Sequence, residues 1–502
     1  MLRRQLWNLA QAARGPQNAS RIPVASISSV TGVHVDPSTV LTESMSTILP
    51  KFQVPSENIS ILKSPTEFYQ ALLTMIARAN RRIVISTLYI GETKKQLVSA
   101  LSDALSRNGR IELAVHVDAF RSTRPSKTCT SSAHLLLPLI NTYPNRVRVN
   151  MFRSPKLSGL LQYLVPRRFD EGWGTWHAKI YLVDDEILLS GANLNSSYFT
   201  NRQDRYIHIT RSPRLATYLV QLLRIFAGYS STLRAEPNSS IGYTLDWPRR
   251  DSSQSSFAAL AGKEVNIFQR EMMEAAPLDA TGQACIFPMV QSGVLGIREE
   301  ERCLHSLFDI LDSKGHPENP LVDLTSGYFA LHGPYQDRVL ASNADFRIVA
   351  AGPSANGFLG SKGVSGRIPA GYTLLERRFW DRVLAARREW DGDRGIELRE
   401  WGRPGWTYHA KGIWISPSAA EAPYATIIGS TNLNSRSAHL DSEISFLLSI
   451  PDQNSSLRTA LQHEVARIRE NTVRVDAHTF ASPERRVSFT TKAIVGLVGS
   501  ML

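Results

Sequence analysis

Apolar residues along this chain gather in short runs bounded by Gly, Ser, Asp or Pro, with mixed polar and apolar stretches between them. The segments "RRIVISTLYIG" (81–91), "RIELAVHVDAF" (110–120) and "RVRVNMF" (146–152) read as three successive strands, rich in β-branched and aromatic residues. A second series follows over two hundred residues later: "PLVDLTSGYFA" (320–330), "DFRIVAAGPSA" (345–355) and "GIELREW" (395–401). Strands alternating with helical stretches predict an α/β layered sheet in each half.

The repeat extends to polar residues. "EGWGTWHAKIYLVDD" (171–185) and "GWTYHAK" (405–411) each place an aromatic residue directly before His-Ala-Lys. On a strand, residues i and i+2 face the same way, so His177 projects with Lys179 and His409 with Lys411. Downstream, "LLSGANLNSSYF" (188–199) matches "IIGSTNLNSRSA" (427–438), pairing Asn193 with Asn432. A repeat of this length signals a duplicated domain. A duplicated core would keep apolar positions; it has little reason to keep His, Lys and Asn.

His-x-Lys, four residues, Asp, then a Gly/Ser turn with Asn resembles the signature of the phospholipase D superfamily. The first copy carries His177, Lys179, Asp184 and Asn193. The second carries His409, Lys411 and Asn432, with Ser416 where the aspartate belongs and seven extra residues before its Asn-Leu-Asn. The stretch 155–206, and "SGANLNSSYFTNRQDRY" within it, is similar to the mitochondrial phosphatidylglycerophosphate synthase branch. The resemblance implies a duplicated α/β/α sandwich whose halves are related by a pseudo-twofold, with one site at their interface. It also implies the reaction: CDP-diacylglycerol and glycerol 3-phosphate give phosphatidylglycerophosphate and CMP, an early step toward cardiolipin. Phosphatidylserine or cardiolipin synthesis, lipid or nucleic-acid hydrolysis, and an inert binding relative are the alternatives.

Transfer through a covalent intermediate needs a nucleophile, cations against the phosphoryl oxygens and a proton shuttle. Two His-Lys pairs meet these demands without a cofactor or a metal. His177 is expected to be the nucleophile and His409 the acid/base, because the first motif is the complete one. Lys179 and Lys411 supply the cations, Asn193 and Asn432 neutral donors, and Asp184 reads as structural within the motif. Asp204 and Glu443, downstream of the two motifs, are candidates to orient the histidine of the opposite half. In the loop "AFRSTRPSK" (119–127), Arg121, Arg124 and Lys127 are expected to bind substrate phosphate, since ligands gather beyond the carboxyl ends of α/β strands.

The chain has 502 residues and a net charge of +12. That suffices for two sizeable cores and suits anionic partners. The expected partners are CDP-diacylglycerol, glycerol 3-phosphate and an anionic membrane surface, with no nucleic acid. Cys129, Cys285 and Cys303 show no metal spacing and read as reduced thiols. Arg3, Arg4, Arg14 and Arg21 precede the first acidic residue, Asp36, so residues 1–35 read as a mitochondrial transit peptide and place the enzyme peripherally on the inner membrane. The expected boundaries are 45–234 for the first domain, 235–282 for a linker and bridging helix, 283–480 for the second domain, and 481–502 for an apolar tail. "KLSGLLQYLVPRR" (156–168) has the composition of an interfacial helix. The tail either docks on the bilayer or packs on the protein.

Overall fold

The computed structural model describes residues 36–91, 95–125, 130–157, 165–166, 170–249, 251–253, 256–275, 283–313 and 319–498. The expected presequence, Lys127, Cys129 and most of the proposed interfacial helix (Leu160, Leu161, Leu164, Arg167 and Arg168 included) lie outside them. Leu157 of that segment is buried.

Two sheets carry the expected strands. The first runs Tyr243–Asp246, Ser230–Ala235, Val147–Phe152, Glu112–Asp118, Arg82–Ser86, Ile180–Val183, Glu186–Ser190, Tyr206–Ile209, Ile59–Leu62. The second runs Thr472–Arg474, Ile396–Trp401, Asp345–Ala351, Leu321–Ser326, Lys411–Ser416, Ala425–Gly429, Ser442–Ser449, Ala284–Ser292, Phe52–Val54. From Val147–Phe152 in one and Ile396–Trp401 in the other, the orders correspond strand for strand. Each has a parallel trio, then the antiparallel strand that follows the histidine, then the strand leading to Asn-Leu-Asn. The duplication is therefore one of topology as well as motif.

Two segments sit elsewhere than composition suggested. Phe52–Val54 pairs with Ala284–Ile286 of the second sheet, and Leu41, Met45 and Leu49 from the helix Pro37–Ser46 and its end fill the second half's apolar cluster. The N-terminal stretch thus closes the second sheet's edge, which would otherwise leave backbone donors and acceptors open. Tyr243–Asp246, inside the expected linker, pairs with Ser230–Ala235 at the other sheet's edge; its Ser- and Pro-rich flanks hid it. The bridging helix is present as Ala258–Glu274. Its Gln269 accepts from Tyr218 Oη at 2.8 Å and donates to Glu299 at 2.7 Å, tying a first-half helix to a second-half one. The C-terminal helix Phe489–Val498 buries Thr491 and Val495 and leaves Phe489 84 % exposed. Cys285 and Cys303 are buried.

Apolar residues from inner faces of both sheets merge into one central cluster, in which Ile180, Leu182 and Ile207 meet Ile428, Ile444 and Phe446. The outer helices of each half pack separate clusters. The halves therefore share a core and do not merely touch.

One buried ion pair fastens this shared layer. Arg205 of the first half donates from Nε and Nη2 to Glu464 of the second-half helix Ser456–Arg469, at 3.1 and 2.9 Å. It also donates to the Ile427 carbonyl at 2.8 Å and lies 3.7 Å from the Trp414 ring centroid. A Cβ on Gly412 would fall 2.0 Å from Arg205 Nη1, so the residue after Lys411 must be glycine, with φ +141°. Removing one member of a buried pair leaves an uncompensated charge, at about 3–5 kcal/mol. Arg205→Met should lower unfolding stability by that amount, measured by urea denaturation, and Arg205→Met/Glu464→Leu should recover part of it. Equal stability of wild type and Arg205→Met would contradict the fastening role.

Candidate active site

Each histidine is set by the aromatic residue before it. Trp176 is buried against Phe152 and Phe226. Its indole donates to Ser86 Oγ and its backbone N–H to Asp118, both at 3.0 Å. Burial pushes the Asp118 carboxyl up to about 7 against these backbone hydrogen bonds. Tyr408 stacks on Trp401, with ring centroids 5.0 Å apart, and shares a 2.5 Å hydrogen bond with Thr325. Ser86 and Thr325 both lie at the carboxyl ends of the first strands of their parallel trios.

From there the halves exchange hydrogen bonds. His177 N–H donates to the Ser442 carbonyl at 2.9 Å, and His409 N–H to the Gln203 carbonyl at 2.8 Å. The next residues are Glu443 and Asp204. Glu443 accepts from His177 Nδ1 at 2.9 Å and Asp204 from His409 Nδ1 at 2.7 Å. Each imidazole is held by a carboxylate of the other half. Both carboxylates stand eleven residues after their asparagine, Asn193 or Asn432, so the two candidates named from the sequence are matching members of the repeat.

The supports differ in detail. Ser430 donates to Glu443, and Ser437 donates to its other oxygen at 2.9 Å. At Ser430's place the first half has Gly191, where a Cβ would fall 2.9 Å from Asp204. The shorter carboxylate therefore comes with the smaller neighbour.

Lys179 and Lys411 are each 1 % exposed. Their Nζ atoms donate to the carbonyls of His177 and His409 at 2.6 and 2.7 Å, and Lys411 Nζ is 3.0 Å from His409 Nε2. Among the described residues neither ammonium has a carboxylate within ion-pair distance. Burial pulls Lys411 down to about 8 and Lys179 well below the usual lysine range. Burial also lowers both histidines. For His177 the Glu443 carboxylate opposes it; for His409 Lys411, Arg202, Lys179 and His177 add to it. Both imidazoles are thus neutral near pH 7, with Nδ1–H donated to carboxylate. Burial raises Asp204, opposed by Lys411, leaving it at about 6. Burial would raise Glu443 too, but His177, Lys179 and Ser430 outweigh it and hold it at about 2.

The Nε2 atoms are unequal. Lys411 Nζ lies 2.9 Å from His409 Nδ1 and 3.0 Å from its Nε2, and Nε2 also meets, at 3.3 Å, the Tyr198 hydroxyl, which accepts from Asn193 Nδ2 at 3.1 Å. His177 Nε2 has no hydrogen bond among the described residues, and its side chain is 12 % exposed against 4 % for His409.

The remaining expected residues fall in several places. Asn193 is buried beside Tyr198, whereas Asn432 Oδ1 is buried without a partner. Asp184 lies at the far end of the strand from His177, about 20 Å along the chain's rise. It accepts the backbone N–H groups of Asn80, Arg81 and Arg82 at 2.9, 2.8 and 3.0 Å. This carboxylate caps a strand and does not touch the imidazoles, so Ser416 in the second copy leaves His409's setting intact. Arg121 and Arg124 both pair with Glu171, at 3.5 and 2.8 Å. Residues the sequence left unassigned also line the site: Tyr198, Arg202, Tyr328 and Asp441. His177, Asp441 and Glu443 bring ligand atoms within 4.8 Å of one another. Their oxygens are already engaged, Asp441 by Thr175 and Arg436, Glu443 by His177 and two serines. The assembled set brings together an open imidazole nitrogen, a second imidazole and two ammonium groups close enough to influence one another, the groups that displacement at phosphorus needs.

Residues 72–225 match the family described as "Cardiolipin synthase, PLD-like domain". The chain is 31 % identical to the mitochondrial CDP-diacylglycerol–glycerol-3-phosphate 3-phosphatidyltransferase of Gallus gallus, over 90 % of this chain and 85 % of that protein. It is 32 % identical to the Saccharomyces cerevisiae protein of that activity, over 90 % and 89 %. In fold it resembles the phosphatidylserine synthase of Haemophilus influenzae, with a TM-score of 0.69 at 18 % identity over 93 % of this chain and 98 % of that one.

Asp204 must be ionised to hold His409, and Lys411 protonated to meet phosphate. The rate at limiting glycerol 3-phosphate, which reads the step His409 serves, should therefore rise with pH through about 6 and fall as pH passes about 8. In Asp204→Asn the acid limb at about 6 should vanish from the pH profile of kcat/KM; its persistence would contradict the pairing.

Proposed function

The chain belongs to the CDP-diacylglycerol–glycerol-3-phosphate 3-phosphatidyltransferase family, and on that footing we propose how its site performs the transfer and where. It moves the phosphatidyl group of CDP-diacylglycerol to glycerol 3-phosphate, releasing CMP. The observation that carries the mechanism is the reciprocal pairing of His177 with Glu443 and His409 with Asp204.

His177 Nε2 attacks the phosphatidyl phosphorus. A P–N bond forms, the bond to the CMP oxygen breaks, and Glu443 steadies the imidazolium through Nδ1–H. CMP leaves as a phosphate with a second pKa near ~6, so it needs little protonation. The glycerol hydroxyl is a far weaker acid. In the second step it attacks phosphorus, its proton passes to His409 Nε2, and the P–N bond breaks to regenerate His177. Lys179 and Lys411 face the phosphoryl oxygens throughout. The cations that keep His409 unprotonated in the free site are offset by the incoming phosphate, which raises its basicity when a proton must be taken.

No helix among the described residues is long and apolar enough to cross a membrane. We place the enzyme on the mitochondrial inner membrane as a peripheral protein, since CDP-diacylglycerol sits in a bilayer. One lip of the site supports this. Tyr328 lies 5.6 Å from the His409 ring, Phe358 lies 5.6 Å from Tyr328, and the next residue, Leu359, is 60 % exposed with Lys362 nearby in sequence. An exposed apolar residue flanked by a cation suits an interface. Leu359→Asp should weaken co-flotation with anionic liposomes by about tenfold; unchanged flotation removes this loop from contact.

Product chromatography after incubation with CDP-diacylglycerol and glycerol 3-phosphate, serine or phosphatidylglycerol tests the reaction, and only glycerol 3-phosphate should yield product. His409→Ala should release CMP once, retain radiolabelled phosphatidyl group on the protein and turn over roughly 10²–10⁴-fold more slowly. Absence of retained label would overturn the assignment of His409 to the second step.

A further inference from the structure

The pseudo-twofold is broken at a further pair of matching positions. Nine residues after Asn193 stands Arg202; nine after Asn432 stands Asp441. Asp441 is fully engaged, accepting from Thr175 N–H and Oγ1 at 2.8 and 2.9 Å and pairing with Arg436 at 2.9 Å. Arg202 is not. Its Nε donates to Thr407 Oγ1 at 3.0 Å, and its guanidinium lies 4.4 Å from the Tyr198 ring centroid. Among the described residues no carboxylate lies within ion-pair distance of it.

Its surroundings fit a ligand. Arg202 stands on the two-residue strand that pairs in register with Thr407–Tyr408, directly before His409. Tyr198, whose face it covers, hydrogen-bonds His409 Nε2. A Cβ on Gly357 would fall 3.2 Å from Arg202 Nη2 and 2.9 Å from Tyr328 Oη, so the opposite half approaches the guanidinium closely there through a glycine backbone, with no side chain laid over it. The other arginines near the site contrast with it: Arg121 and Arg124 pair with Glu171, and Arg436 with Asp441. Lys179 and Lys411 serve the reacting phosphorus. Among the described residues of the site, Arg202 is left on the His409 side without a carboxylate, and the incoming alcohol carries one further phosphate that takes no part in bond exchange.

We propose that Arg202 is the specificity-determining receptor for the non-reacting phosphate of the acceptor alcohol, holding it while His409 takes the hydroxyl proton. A planar guanidinium presents paired donors that match phosphate oxygens, and its face on Tyr198 fixes the plane of the fork. The partly buried setting strengthens the contact relative to one in water.

This rests on the transferase reading above, and the test separates the two. Full-length wild type, Arg202→Gln and Arg202→Lys are compared with glycerol 3-phosphate and with glycerol as acceptors, and in exchange of labelled CMP into CDP-diacylglycerol. Wild type should favour glycerol 3-phosphate, and Arg202→Gln should narrow that preference by about 10–100-fold, mainly through a raised KM for glycerol 3-phosphate. Arg202→Lys should recover part of it. The loss in glycerol 3-phosphate transfer should exceed the loss in CMP exchange by at least tenfold. Equal losses with both acceptors would overturn the proposal and mark Arg202 as structural. Losses as large in exchange as in transfer would assign the guanidinium to the CMP phosphate and also overturn it. A wild type that exchanges no CMP and makes no lipid product would sink the transferase reading instead.

Discussion

Two imidazoles, each beside a buried ammonium group, are held in place by carboxylates that come from the opposite half of the chain. Most features of the molecule serve this exchange. An ammonium group without a carboxylate is costly to bury, and here there are two. Their presence makes sense at a site whose ligand brings the missing negative charge. The carboxylates make no ion pair with the lysines: Glu443 is committed to His177 Nδ1 and two serine hydroxyls, and Asp204 to His409 Nδ1 and the Arg205 backbone N–H. Phosphate entering the site therefore meets cations that no carboxylate among the described residues has paired, which is the condition for strong electrostatic stabilisation in a preorganised pocket.

The shared core makes the exchange rigid. Backbone hydrogen bonds from His177 to Ser442 and from His409 to Gln203 fix the register across the interface, and Arg205 with Glu464 locks the layer behind it. Within that symmetric frame the two sides are unlike. His177 presents an open Nε2, whereas His409 Nε2 is already engaged by Lys411 and Tyr198. A nitrogen free of donors is the better nucleophile, and one held among donors beside Arg202 suits proton transfer to and from an anionic alcohol. Asp204 beside Gly191, and Glu443 beside Ser430, show how two carboxylates of different length reach equivalent nitrogens.

Much of this was legible in the chain. The six strands of the two parallel trios, the strand after each histidine and the bridging helix lie where the apolar runs placed them. The matched histidines, lysines and asparagines pointed to one site as an expectation, because no packing requirement preserves such residues in both copies. Other features were hidden for physical reasons. Phe52–Val54 and Tyr243–Asp246 are edge strands whose identity depends on partners distant in sequence. The ring of donors around His409 includes Tyr198, which lies in a legible stretch but acquires meaning only when a residue 211 positions away meets it. Arg121 and Arg124 had the composition of a phosphate site, yet Glu171 already occupies them. Arg202 matters for the opposite reason: among the described residues no carboxylate pairs with it, and sequence does not display a missing partner.

The central claim is that Glu443 and Asp204 hold Nδ1 of their histidines, leaving His177 Nε2 as the atom that bonds to phosphorus. Acid-free ³¹P and ¹⁵N spectroscopy of the enzyme trapped with CDP-diacylglycerol, with histidine ¹⁵N-labelled, reads that bond directly. The account predicts one phosphoramidate, on Nε2 of His177, with its Nδ1 still protonated. A phosphorus signal coupled to Nδ1, or to either nitrogen of His409, would contradict it.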